Sequence, residues 1–169
     1  MSKKILLTGA PGSGKTTLIH RVVDKYPGRA GGFYTQEIRE SGRRKGFEIV
    51  TLEGERGILA HVDLHSQIRV SKYAVDIATL ERIAVGAIQK TIENGALVVI
   101  DEIGPMEINS PRFREAVLNA FSSDCSLLGT IVKRSTRFTD QIKSRQDITL
   151  IEVHPGNRDQ LVDIILSML

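Results

Sequence analysis

The chain has 169 residues, 41% hydrophobic and 25% charged, so it can bury one core and is too ordinary in composition for a disordered or fibrous protein. A net charge of +3 admits an acidic ligand without demanding nucleic acid, and the single cysteine, Cys125, excludes an internal disulfide and fits a reducing, cytoplasmic setting. No apolar run reaches the length of a membrane span, and Met1-Ser2-Lys3-Lys4 leads into the first strand without the apolar stretch of a signal peptide, so no membrane attachment is expected.

Residues 5–8 are short and apolar, as a buried strand is. After a glycine-rich interruption, Leu18, Ile19, Val22 and Val23 share one face of a helix that runs from about residue 14 to 26 and stops at Pro27-Gly28. Gly31-Gly32 opens a second strand over 33–40. Residues 46–62 read as two strands around Glu53-Gly54-Glu55. Beyond an irregular stretch, Leu80, Ile83, Ala84, Ala87, Ile88 and Ile92 recur at helical spacing over 79–93, ending at Asn94-Gly95.

Residues 96–101 are apolar without alternation, the pattern of a strand covered on both faces. Ser110-Pro111 joins a hydroxyl cap to a proline at the first helical position, ahead of a stripe of Phe113, Ala116, Val117, Ala120 and Phe121. A buried strand over 126–132, a short helix over 138–144 and a last strand over 149–153 follow. Asn157 is expected to cap a closing helix with Leu161, Ile164, Ile165 and Met168 inward. Strands alternating with helices predict one α/β domain, residues 1–169, whose mostly parallel sheet carries helices on both faces. Ligands of such sheets bind beyond the carboxyl ends of the strands. Residues 9–16 and 101–107 both follow strands and can converge there.

Gly9-Ala10-Pro11-Gly12-Ser13-Gly14-Lys15-Thr16 matches G-x-x-x-x-G-K-[ST], the phosphate-loop pattern. Glycines let backbone amides wrap a polyphosphate with no side chain in the way, and the helix N-terminus behind them adds its dipole. Lys15 is expected to reach the β and γ phosphates and Thr16 to place its hydroxyl on Mg²⁺, with Thr17 next along the loop. Asp101 ends an apolar strand, where a carboxylate binds Mg²⁺ directly or through water. Glu102 beside it is expected to polarise the attacking water as general base, which favours hydrolysis over phosphoryl transfer to another acceptor. Gly104-Pro105 turns the chain at the mouth of this site. Glu107 reads either as a second acid near the metal or water, or as an exposed loop carboxylate. Met106 reads as packing.

A cation that neutralises charge on the leaving phosphate is also expected. Lys133 and Arg134 follow the 126–132 strand on the same edge; Arg134 has the planar fork that suits the role, Arg137 is its rival, and a solvated basic loop is the equal alternative. Asn157 and Arg158 either border the base or form a helix cap with an exposed arginine. Arg39, Arg43, Arg44 and Lys45 around Gly42 read as a solvated hairpin tip, the alternative being contact with RNA, DNA or the triphosphate, and no aromatic residue interleaves with Arg43 to Lys45 to build a base-stacking platform. Tyr34, Thr35 and Glu37 alternate along the second strand and read as structural. His20, His61, His65 and His154 lack metal-ligand spacing. Cys125 reads as inert.

The phosphate loop, "GGFYTQEIRESGRRKGFEIV", "VVIDEIGPMEINSPRF" and "HPGNRDQL" together resemble the small P-loop nucleoside-triphosphatases first known from thermophiles, a family with a human cancer-related relative. The resemblance covers nearly the whole chain. It implies slow hydrolysis of ATP, GTP and other nucleoside triphosphates to diphosphate and phosphate, with Mg²⁺ and loose base preference. It also implies a RecA-like three-layer sandwich with a mostly parallel sheet and an added β-hairpin, in which the 126–132 strand lies between the strands bearing the phosphate loop and Asp101. Gly9 to Thr16, Asp101 and Glu102 carry over residue by residue, and Glu107 matches the motif. Pro11-Gly12-Ser13-Gly14-Lys15 also resembles the loop of adenylate-kinase-like enzymes.

Three functions follow: a Mg²⁺-dependent triphosphatase, a nucleotide or nucleoside kinase, and a nucleic-acid-binding module switched by ATP. No motif encodes an oligomer, and a monomer is the expectation.

Overall fold

The computed structural model describes residues 1–169 throughout. In chain order the elements are β1 (Lys4–Thr8), α1 (Lys15–Lys25), β2 (Ala30–Glu40), β3 (Arg43–Thr51), β4 (Arg56–His61), β5 (Arg69–Val70) and β6 (Tyr73–Val75). The helical segment that follows comprises α2 (Ile77–Leu80), a π-helical turn (Glu81–Val85) and α3 (Gly86–Glu93). Then come β7 (Leu97–Ile103), a 3₁₀ turn (Glu107–Asn109), α4 (Pro111–Ser122), β8 (Leu127–Ile131), α5 (Arg137–Lys143), β9 (Ile148–Glu152) and α6 (Arg158–Met168).

All nine strands join one sheet in the order β5-β6-β4-β3-β2-β7-β8-β1-β9. The five from β2 to β9 are parallel, with β8 between β1 and β7 as the resemblance implies. Beyond β2 the sheet turns antiparallel through β3, β4, β6 and β5, an extension larger than one hairpin. Gly31-Gly32 lie inside β2 rather than opening it, and the hairpin turns at Ser41-Gly42.

Successive residues of the central strands feed opposite cores. Leu6, Val98, Ile100 and Leu127 point to the side of α3 and α4, where Phe33 meets Phe113 edge-on at 6.0 Å. Ile5, Leu7, Val99 and Leu128 point to the side of α1 and α6, against Leu18, Val22, Leu161 and Ile165. Both faces being covered, these strands carry no polar alternation. Ile164, expected inward, is 48% exposed; Val162 takes the buried place instead.

Local chemistry sets the helix ends. Ser110 Oγ accepts from Phe113 N at 3.0 Å and donates to Glu81 Oε1 at 2.8 Å, and Pro111 follows at the first position. Asp76 caps α2 by accepting from Thr79 N at 2.9 Å. The far end of α4 is closed by buried Lys4, whose Nζ donates to the carbonyls of Ala120 at 3.0 Å, Ser123 at 2.9 Å and Cys125. The expected Asn157 cap is not made. Its Oδ1 accepts from His154 N at 2.9 Å and its Nδ2 donates to Glu152 O at 2.9 Å, so the loop after β9 takes up the whole side chain.

Ser110→Ala removes a cap and the link to Glu81 together. Urea denaturation should show a loss of about 1–2 kcal/mol with an unchanged m value.

Candidate active site

Three segments meet at the carboxyl end of the parallel strands. The first is the turn between β1 and α1. Helix α1 has no side-chain cap, so its first amides face the loop in front of it. Gly14 holds φ 97°, and a Cβ there would lie 3.0 Å from Arg158 Cδ and 3.1 Å from its Nη1. The arginine therefore covers the loop, and only glycine fits beneath it. Lys15 Nζ folds back to donate to Gly9 O at 2.7 Å and Ala10 O at 3.3 Å. Ser13 is buried, and its Oγ has no hydrogen-bond partner.

The second segment is the end of β7. Asp101 is 2% exposed. Its Oδ1 accepts from Thr130 Oγ1 at 2.6 Å, while Oδ2 has no partner. Burial pushes the Asp101 carboxyl above its ordinary value, against the opposing pull of the Thr130 and Thr16 hydroxyls. Burial, and then the charge of Asp101, likewise raise Glu102, with Lys15 acting against them. Gly104 lies under the Glu102 side chain; a Cβ there would fall 2.5 Å from Oε1. Glu107 is not an exposed loop carboxylate: it is 3% exposed, because the 3₁₀ turn folds it inward beneath Glu102 and Asp101. Its carboxyl is driven well above the usual glutamate range by burial first and Glu102 second.

The third segment is the β2–β3 hairpin. Strand β2 pairs with β7 from Ala30 opposite Leu97 to Tyr34 opposite Asp101, then continues to Glu40 past the end of that ladder. Its overhang brings Thr35, Gln36 and Glu37, with Arg44 and Phe47 of β3, into the wall of the site. Thr35 and Glu37 are thus more than the structural residues expected, Arg44 more than a solvated tip, and Gln36 and Phe47 carry no signal in the sequence. Period-two alternation groups Thr35 with Glu37, but only the neighbouring β7 decides what the strand overhangs. Arg43 and Arg44 are both exposed, as expected of the tip, and Arg44 also bonds to Glu37 and Tyr73.

The resulting cleft has a volume of about 750 Å³ and is lined by Gly9 to Thr17, Asp101, Glu102, Pro105, Lys133, Arg134 and Arg158, besides the hairpin residues. Arg137, on the first turn of α5, does not line it; neither do Asn157, Gly104 and Glu107. A smaller cavity of about 440 Å³ lies at the amino ends of β2 and β7. Its cations are tied: Lys90 to Glu53 at 2.7 Å, Arg82 to Glu55 at 3.2 Å and Arg29 to Asn94 O at 3.1 Å.

Residues 4–166 match the model of a family described as NTPase. The chain belongs to this NTPase family. It is 48% identical over 166 residues to nucleoside-triphosphatase THEP1 of Thermotoga sp. (strain RQ2), covering 98% of this chain and 95% of that one. It is 36% identical over 183 residues to the cancer-related nucleoside-triphosphatase of Homo sapiens, covering 99% and 96%. The crystal structure of THEP1 from the hyperthermophile Aquifex aeolicus superposes with a TM-score of 0.90 at 34% identity, covering 98% of both chains. The solution structure of a human cancer-related nucleoside triphosphatase gives 0.83 at 35% identity, covering 99% of this chain and 97% of that one. The fold is thus that of the P-loop NTPases, with parallel strands in a mixed sheet, as the resemblance implied.

In this NTPase the buried carboxyl of Glu107 has a measurable signature. A carboxyl with a raised folded value stabilises the fold below its unfolded value and loses that contribution as pH climbs through the folded one. Glu107→Gln keeps the shape and removes the titration. Its Tm should match the parent near pH 4 and exceed it by roughly 3–6 °C at pH 8. Thermal melts across pH decide this; equal melting temperatures at pH 8 exclude the assignment.

Proposed function

We propose that the chain hydrolyses nucleoside triphosphates to diphosphate and phosphate, with Mg²⁺ and little preference for the base. The observation that carries this is the placement of Glu102. It is a carboxyl of raised proton affinity in the wall of a cleft that also holds the phosphate loop, beside a buried Asp101 oxygen without a partner.

The loop amides and Lys15 bind the β and γ phosphates. To do so, Lys15 exchanges two neutral carbonyls for anionic oxygens, which is a gain. The orphaned Asp101 Oδ2 and the Thr16 hydroxyl form a hard oxygen donor set that suits Mg²⁺. Held there, the ion would supply charge that shields the phosphate oxygens. Glu102 takes a proton from a water whose oxygen bonds to the γ phosphorus. The β–γ bridging P–O bond breaks, and its electron pair leaves on the diphosphate. A base with proton affinity raised toward neutral is better matched to this transfer than an ordinary glutamate. Arg158 presents a planar cation over Gly14, a surface on which any base can stack, in keeping with loose selectivity.

The test is phosphate release from a panel of triphosphates with no acceptor present. Glu102→Ala should lower kcat about 10²–10⁴-fold with KM within a few-fold, whereas Lys15→Ala should abolish nucleotide binding. Equal turnover by Glu102→Ala removes the base assignment, and phosphorylation of an added acceptor faster than phosphate release reverses the choice in favour of a kinase. Chelation should abolish turnover and added Mg²⁺ restore it. Gly104→Ala crowds the Glu102 side chain, from Cγ at 2.8 Å to Oε1 at 2.5 Å. It should reduce kcat about tenfold while leaving Tm within about 2 °C.

A further inference from the structure

We propose that Arg44 is the cation this chain supplies to the γ phosphate from the wall opposite the phosphate loop, and that Glu37 and Tyr73 are the positioning residues that hold it there. The inference rests on the hydrolysis reading above and deepens it.

Arg44 lines the cleft from β3. Four contacts hold it. Its Nε donates to Tyr73 Oη at 2.9 Å, and its Nη1 donates to Glu37 Oε1 at 3.1 Å. Its guanidinium carbon lies 5.2 Å from the Phe47 ring centre and 5.8 Å from that of Tyr73. Its Nη2 makes no bond within the chain. A guanidinium has a planar fork, so fixing one edge and one face aims what is left. Here the residue so fixed is one that lines the cleft.

The other cations of the cleft are placed differently. Lys15 and Arg158 belong to the loop side. Lys133 is paired with Glu152 at 2.6 Å. Arg134 sits on an exposed turn, and no side chain anchors it. Arg44 alone reaches the cleft from the hairpin, and its anchor Tyr73 is buried on β6. Strand β6 is part of the antiparallel extension that the nucleotide fold does not need for its loop.

The chemistry calls for such a group. As the water oxygen bonds to phosphorus and the bridging P–O bond breaks, the proton passes to Glu102 and negative charge gathers on the bridging oxygen and the γ oxygens. A preset guanidinium meets that charge without reorganising. Against the raising effect of desolvation, the hydrogen bonds from Arg44 to one Glu37 oxygen and from Arg39 to the other hold this carboxyl below its ordinary value.

Steady-state kinetics and binding on the full chain test this. Arg44→Ala should lower kcat about 10²–10³-fold with KM within threefold, and Arg44→Lys should recover less than tenfold of the loss. Glu37→Gln and Tyr73→Phe should each lower kcat about tenfold, and Tyr73→Phe should add nothing in an Arg44→Ala background, since both act through the same group. Wild type should bind ADP with aluminium fluoride, a mimic of the transferring phosphoryl group, at least tenfold more tightly than ADP alone, and Arg44→Ala should lose that gain while keeping ADP affinity. Arg43→Ala, at the exposed tip, should match wild type. Thermal melts distinguish loss of fold from loss of the cation. The proposal is overturned by an Arg44→Ala enzyme with kcat within threefold of wild type, by a rise in KM alone, or by Arg134→Ala showing the losses instead. In each of those cases an active wild type and an inactive Glu102→Ala leave hydrolysis standing. A wild type that releases no phosphate brings down both.

Discussion

Three carboxyl groups share one buried corner at the end of β7, and the rest of the molecule is arranged to tolerate them. Asp101, Glu102 and Glu107 repel one another, with Asp101 and Glu107 buried and Glu102 half-buried in the cleft wall, so each binds its proton more tightly than a free carboxyl does. Their partners come from elsewhere in the fold. Thr130 arrives because β8 is inserted between β7 and β1. Lys15 and Thr16 arrive because β1 ends in a glycine loop on the same sheet edge. Strand order is therefore part of the chemistry. Were β1 directly beside β7, Asp101 would lose the hydroxyl that satisfies one of its oxygens.

The sheet has two halves with distinct work. The parallel half, buried on both faces, fixes the loop and the carboxylates on rigid strand ends. The antiparallel half extends β2 beyond the ladder it shares with β7 and turns it back as β3, which makes a wall where the parallel half has only an edge. That wall is held by an Arg39–Glu37–Arg44 chain of charges and by Phe47, which packs edge-on against Tyr73 of the α3–α4 core.

What was legible in the sequence is what depends on near neighbours along the chain. The loop spacing, the unalternating run before Asp101 and the Ser110-Pro111 helix start are local chemistry, and each lies where that chemistry puts it. The βαβ alternation was enough for the fold class. What was not legible depends on strand order and on side chains meeting across the sheet. Thr35, Glu37 and Arg44 reach the cleft only because β2 neighbours β7. Glu107 is buried because a 3₁₀ turn folds under β7, and nothing in "GPMEIN" separates that from an open loop. Asn157 has a cap's identity and position, yet the loop before it uses both polar atoms of its side chain. Arg137 follows the right strand but opens α5 and does not line the cleft.

Lys4 ties the two ends of this organisation together. It is the first residue of β1, and its ammonium closes the end of a helix that lies 116 residues further along the chain. The start of β1 is therefore a fastening for the back of the molecule, and the helix it closes is joined at its opposite end, through Ser110, to Glu81 of the π-helical turn.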